Sequence, residues 1–196
     1  NKSFATAEAT PQHLFFSSPE CYDNLGSLAQ MNPPIRGKIH QDSLWKGIQR
    51  GIIDVIGSDH APHTLKEKRQ KYPKSPSGMT GVQTLVPIML DFVNKGKLSI
   101  FDFVKLTSTN PTKIYNIKNK GKIEVGYDAD FTIVDMKKNK KIRNDWIASK
   151  SGWSPYNEIN VVGWPIYTII RGHVIMRDDQ IVNGPIGKII EFSDIV

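Results

Sequence analysis

The sequence has 196 residues, 39% hydrophobic and 23% charged, with a net charge of +7 and a single cysteine. That length holds one medium domain, or a domain core with a small satellite. The composition excludes a disordered chain, no apolar run reaches the roughly 18 residues of a membrane span, and one cysteine cannot build an internal disulfide framework, which favours a reducing, cytoplasmic setting.

The basic excess sits on Lys66, Lys68, Lys71, Lys74, Lys137, Lys138, Lys140 and Lys141. These are spread over expected loops with no aromatic stacking motif between them, so they read as solvated surface and not as a nucleic-acid interface. Cys21 reads as a small apolar side chain. The opening NKSFATAEAT lacks the basic-then-apolar layout of a secretory signal. It begins with Asn, which fits a processed or truncated piece.

In chain order, residues 4–9 read as a short buried strand ended by Thr10-Pro11, and residues 13–36 as irregular chain stiffened by Asn32-Pro33-Pro34. Residues 41–50 predict a helix with Leu44, Trp45 and Ile48 inward and Gly51 as its stop. Ile52 to Ile56 is mostly apolar and β-branched, which suits a strand covered on both faces. Residues 62–78, with Pro62, Pro73, Pro76 and Gly78, form a long loop. The best helical pattern covers 79–94, where Val82, Leu85, Val86, Met89 and Val93 share one stripe. Ser99 can cap a further helix carrying Phe101, Val104 and Leu106, and Asn110-Pro111 opens a last short one ending near Tyr115.

After Gly121 the texture changes to strands, at Phe131–Val134, Tyr167–Arg171 and Val174–Arg177, separated by turn formers. A boundary near residue 118 divides a first part with the strand–helix rhythm of an α/β barrel from a small β part.

The stretch Ser58-Asp59-His60-Ala61-Pro62-His63 falls just past the apolar strand. In α/β barrels that end of a strand carries the catalytic groups. One oxygen of Asp59 can bind a metal while the other holds and moves a proton from water, and His63 can hydrogen-bond a substrate oxygen. A strand-terminal Asp followed by His equally suits a turn or a helix cap, so the residues alone leave both readings open.

DVIGSDHAPHT followed by SPSGMTGVQTLVPIML resembles the last barrel strand and following loop of the dihydroorotases. TPQHL and MNPPIR resemble the loop after the seventh strand of that family. GKIEVGYDADFTIVD and SGWSPYNEINVVGWPIYTIIRGHVIM resemble the small β domain of the amidohydrolase superfamily, the latter in the bacterial dihydroorotase branch. The resemblance runs from about Ala7 to Val182 and implies an α/β fold. Residues 1–117 would be the C-terminal portion of a TIM-like (β/α)8 barrel, about its last two strands and their helices. Residues 118–196 would be a small β-sandwich domain.

By the same resemblance, Asp59 is a metal ligand and the general base and acid. Asn32, His63, Ser77 and Gly78 are substrate-binding. Many members carry an aromatic where Ser77 stands, so its implied contact is through backbone. The implied activity is hydrolysis of the cyclic amide of dihydroorotate and the reverse closure of N-carbamoyl-aspartate, with two divalent metals, zinc, activating a water. A homodimer and an aspartate transcarbamoylase are the macromolecular partners the resemblance allows.

Several other residues read as structural. His13 is not a ligand position of the family, His60 points away from the site, and His40 and His173 are surface residues. Arg36 is expected in a salt bridge within its loop, Asp128 and Asp130 in a turn, and Trp153 and Trp164 under loops.

The family's HxH ligand motif is absent, since no two of the five histidines are one residue apart. One Asp cannot hold a catalytic zinc, which takes about three protein ligands. The chain is therefore expected to be a C-terminal fragment, inactive without the N-terminal half of its barrel. The rival readings are an allantoinase or hydantoinase, and a non-catalytic subunit supporting a transcarbamoylase. The wording DHAPH and NPPIR opposes the first, and the retained Asp59 and His63 oppose the second.

Overall fold

The computed structural model describes residues 5–193. No helix among them is long and apolar enough to cross a membrane. Phe4, the first residue of the expected opening strand, lies outside this range.

The two expected strands form but are shorter than read. β1 (Glu8–Ala9) pairs in parallel with β2 (Val55–Ile56), in the register Glu8 to Val55 and Ala9 to Ile56. The pairing continues on both sides, where Val55 N–H donates to the Ala7 carbonyl and Gly57 N–H to the Ala9 carbonyl. Ile53, Val55 and Ile56 are buried, but Ile52 is exposed because it still belongs to the turn that leaves the preceding helix at Gly51.

Residues 13–36 are less irregular than expected. Thr10 caps α1 (Pro11–Phe15), its hydroxyl accepting from His13 N–H, with proline at the first helical position. α2 (Glu20–Leu25) and a 3-10 turn (Gly26–Ala29) follow. α3 (Lys38–Gln49) begins earlier than read and buries Gln41, Trp45 and Ile48 along one face. Inside the expected 62–78 loop lies α4 (Leu65–Lys68), started by a reciprocal cap between Thr64 and Glu67.

α5 (Leu85–Asn94) starts later than the 79–94 pattern, and Val82 stands exposed ahead of it. Its Ile88, Met89, Leu90 and Phe92 are all buried, which is more than one stripe. The cause is that α5 is covered from two sides, by the helices around β1 and β2 and by the later sheet. Gly163 of that sheet has φ +103°, and a Cβ there would sit 2.7 Å from Leu90 Cβ, so glycine permits the close approach. Ser99 caps α6 (Ile100–Val104) as expected. Its inward residue is Phe103, followed by Leu106 in the next turn, whereas Phe101 and Val104 face solvent. A π turn over residues 105–109 leads into α7 (Asn110–Ile114).

The later region is a four-stranded antiparallel sheet in sequence order: β3 (Phe131–Lys141), β4 (Asn160–Ile170), β5 (His173–Arg177) and β6 (Gln180–Ile181). β3 and β4 extend well beyond the pieces read from the sequence. Two-residue hairpins at Arg171-Gly172 and Asp178-Asp179 have positive φ at both positions, the twist that adjoining strands require.

One core joins Trp45, Ile56, Ile88, Phe92, Val161 and Trp164. Tyr156 is fully buried, stacked on Phe16 at 5.1 Å and edge-on to Phe15 at 5.2 Å. A second cluster of Cys21, Ala29, Met31, Ile35, Met79 and Trp153 underlies the loops after β1 and β2.

Candidate functional site

Asp59 stands just past the C-terminal end of β2, exposed, with φ +39°. A non-glycine residue in that region costs roughly 1–2 kcal/mol unless its surroundings hold it there. Both flanks are held. The Gln12 amide, fully buried, donates to the Ser58 carbonyl at 2.9 Å. On the other side His60 Nδ1 accepts from Gly81 N–H at 3.1 Å and from Val82 N–H at 3.4 Å, and Ala61 N–H donates to the Met79 carbonyl. Accepting from amides requires a lone pair on Nδ1, so the ring proton is on Nε2. A Cβ on Gly81 would meet the Ser58 carbonyl at 2.3 Å, which is why glycine stands there.

Asp59 opens onto a groove of about 760 Å³ whose wall includes Glu8, Thr10, His13, Asn32 and Arg36. Asn32 is exposed and precedes a cis peptide bond to Pro33. His13, on that wall, has both ring nitrogens engaged: Nδ1 meets Thr10 Oγ1 at 2.8 Å and Nε2 meets the Pro33 carbonyl at 3.0 Å, tying α1 to the Asn32 loop. Arg36 departs from expectation, because it forms no ion pair among the described residues and faces the groove beside His40.

His63, Ser77 and Gly78 form a second cluster. His63 Nε2 donates to the Ser77 carbonyl at 3.1 Å, and the His63 carbonyl accepts from Trp153 Nε1 at 2.7 Å. Gly78 has φ +138°, and a Cβ there would meet the Ala61 carbonyl at 2.4 Å and His63 Cδ2 at 3.2 Å. Gly78 N–H donates to the Gln30 carbonyl at 3.0 Å, and the Gln30 amide donates to the Ser75 carbonyl at 2.9 Å. The Asn32 loop and the Ser77–Gly78 loop are therefore joined through Gln30.

One expectation fails outright. Lys68 is not solvated surface but fully buried, with Nζ donating to the Gln30 and Pro76 carbonyls at 2.8 and 2.9 Å. Burial lowers its pKa to about 8. Lys140 is also engaged, paired with Asp179 and over the Trp164 ring. Gln12, Gln30, Lys68 and Trp153 all support the site and none announces itself locally; Lys68 is flanked by the exposed Lys66, Arg69 and Lys71. Asp128 and Asp130 do set a turn, sharing Lys120, with Asp130 also accepting from Arg171 N–H. Burial pushes the Cys21 thiol up, away from the reactive thiolate form.

No three His, Cys, Asp or Glu side chains converge on a metal position among the described residues. The Asp59 carboxylate accepts no hydrogen bond among them and is open to the groove, which fits one ligand position in a set that needs about three.

A family profile for the amidohydrolase family matches residues 27–175. The chain belongs to the amidohydrolase family. Within it, the chain is similar to dihydroorotases: 45% identical over 181 residues to that of Pyrococcus furiosus, covering 92% of this chain and 42% of the relative. The dihydroorotase of Methanosarcina mazei is 42% identical over 189 residues, covering 95% and 41%. Among solved structures, L-hydantoinase (dihydropyrimidinase) from Arthrobacter aurescens superposes with a TM-score of 0.86 at 31% identity, covering 91% of this chain and 40% of that one. A dihydropyrimidinase from Brevibacillus agri superposes at 0.82 with 30% identity, covering 90% and 40%. The chain thus spans about two-fifths of the length of the relatives it matches.

Proposed function

We propose that this chain is the C-terminal part of a dihydroorotase. It would open the cyclic amide of dihydroorotate and close N-carbamoyl-aspartate in the reverse direction. The observation that carries the reading is Asp59, held with its carboxylate open at the C-terminal end of a parallel strand, on the groove that Asn32 also lines. The identity to two dihydroorotases, 45% and 42%, supports the substrate class.

In this reading β1 and β2 are two strands of a (β/α)8 barrel within residues 1–117, and residues 118–196 form a small β-sandwich domain. Asp59 holds a divalent metal, zinc, together with residues outside these 196. That metal, when bound, supplies Lewis-acid polarisation of the ring carbonyl and acidifies water. Asp59 takes the proton of the attacking water on its free oxygen. It returns that proton to the ring nitrogen as the C–N bond breaks, so that nitrogen leaves as the neutral NH2 of the carbamoyl group. Asn32 and the Ser77–Gly78 backbone orient the ring. His63, with Nε2 donating to the Ser77 carbonyl, presents Nδ1 of its neutral ring as an acceptor for a substrate N–H. Cytoplasmic location, a second copy and an aspartate transcarbamoylase partner belong to the same reading and rest on the family resemblance.

The superposition on hydantoinases favours one alternative, a hydantoin-type ring as substrate. Assay of the full-length, metal-loaded protein on both rings separates the two. Turnover of dihydroorotate is expected; turnover of hydantoin with none of dihydroorotate would reverse the assignment.

A further inference from the structure

Lys68 is the one lysine among the described residues that is fully buried, and no carboxylate pairs with it. A buried ammonium is costly unless its donors are satisfied, so its position is demanding. Its two acceptors are main-chain carbonyls from the two loops that bear the proposed substrate contacts. Gln30 comes two residues before Asn32, and Pro76 immediately before Ser77 and Gly78. The carbonyl of Lys68 itself accepts from the hydroxyls of Ser27 and Ser75, so its backbone is fixed from the same two sides. Its helix, α4, is launched by the Thr64–Glu67 cap directly after His63.

We propose that Lys68 is a positioning residue for substrate: its ammonium sets the spacing between the Asn32 loop and the Ser77–Gly78 loop, and so the width of the ring-binding site. This rests on the dihydroorotase reading for the identity of the ring, but not for the junction itself. An ammonium suits the task because three donors on one small atom can draw together carbonyls that would otherwise repel. The lowered proton affinity that burial gives it agrees with full enclosure. Gly78 N–H, which donates to the same Gln30 carbonyl, is a built-in reporter of the junction.

The test uses the full-length, metal-loaded protein and Lys68→Met, which keeps the length and removes the donors. The expected result is a KM for dihydroorotate raised tenfold or more, with kcat within threefold of wild type. Amide exchange at Gly78, measured without substrate, should be at least tenfold faster. Lys68→Gln, which keeps an N–H donor on a shorter stem, should recover part of both effects, and it carries the test if the methionine variant does not fold. Unchanged KM with unchanged Gly78 exchange overturns the proposal, as does a fall in kcat at constant KM. If the wild type does not turn over dihydroorotate, the substrate assignment falls, while faster Gly78 exchange in Lys68→Met still upholds the junction.

Discussion

The region before residue 116 and the sheet after residue 130 are held together by different means. In the sheet, long strands satisfy their own backbone, and half-buried cations on β3 pair with carboxylates across the surface. Around Asp59 the strands are two residues long, and the order comes from buried or half-buried side chains that reach across to main-chain carbonyls and amides: Gln12, Gln30, His60, Lys68 and Trp153. A ladder resists change through many equal bonds. A set of single side-chain anchors places loops with accuracy, but each anchor is irreplaceable. The difference teaches that the irregular chain here is specified, not loose.

The largest effect should come from the loop region without touching its stability. Asp59→Asn in the full-length protein should lower turnover by roughly a thousandfold or more, as loss of a general acid–base does. In the metal-free protein its melting temperature should be unchanged, because the carboxylate accepts no hydrogen bond among the described residues; a loss of stability there would place Asp59 among the anchors.

The second test contrasts charge in the two regions through pH. Lys68 titrates near 8 when folded and near 10.5 when unfolded. Below pH 8 both states are protonated and the cost of the buried charge is fully present. Between the two values the unfolded chain holds more protons, so stability should rise with pH by on the order of 3 kcal/mol. Denaturant unfolding across that range should show the rise in wild type and lose it in Lys68→Met.

In the sheet the corresponding knot is Asp179, which accepts from Trp146 Nε1 at 3.0 Å and Trp164 Nε1 at 2.9 Å and pairs with Lys140. Burial alone would raise its pKa, but the bonds from Lys140 and the two indoles outweigh that and hold it below 3.8. Its contribution should therefore be complete above about pH 4 and be lost as pH falls through the lowered value. Asp179→Ala should cost about 2 kcal/mol, since it strands the indole N–H of the buried Trp164 and that of the half-buried Trp146, and tryptophan fluorescence during unfolding would measure it. The smallest effect is local: Ser99→Ala should cost about 1 kcal/mol of cap energy at α6, visible as a lower denaturation midpoint with an unchanged slope.

What was legible in the sequence follows this same division. Ser99, Asn110-Pro111 and the Arg171-Gly172 and Asp178-Asp179 turns carry their instructions locally, and each element formed where read. Asp59 and Asn32 were legible through family wording, and the structure brings both to one groove. Lys68 escapes the sequence because nothing within its own segment distinguishes it from the solvated lysines beside it; the carbonyls that enclose it lie 38 and 8 residues away. The full length of β3 is hidden in the sequence for a related reason. Its second half, KKNKK, looks like a loop until Asp178 and Asp179 on the facing turn are known to receive Lys138 and Lys140. The expected 79–94 helix began late because Gly81 is needed against Ser58, a demand set by a distant loop.

The indole of Trp153 reaches the main chain at His63 from a segment ninety positions further along, between β3 and β4. A chimaera that exchanged residues 144–158 with those of a hydantoin-cleaving relative would therefore transplant more than an outer wall. The placement of His63 should shift with the exchanged segment, even though none of its side chains lines the groove in which Asp59 stands.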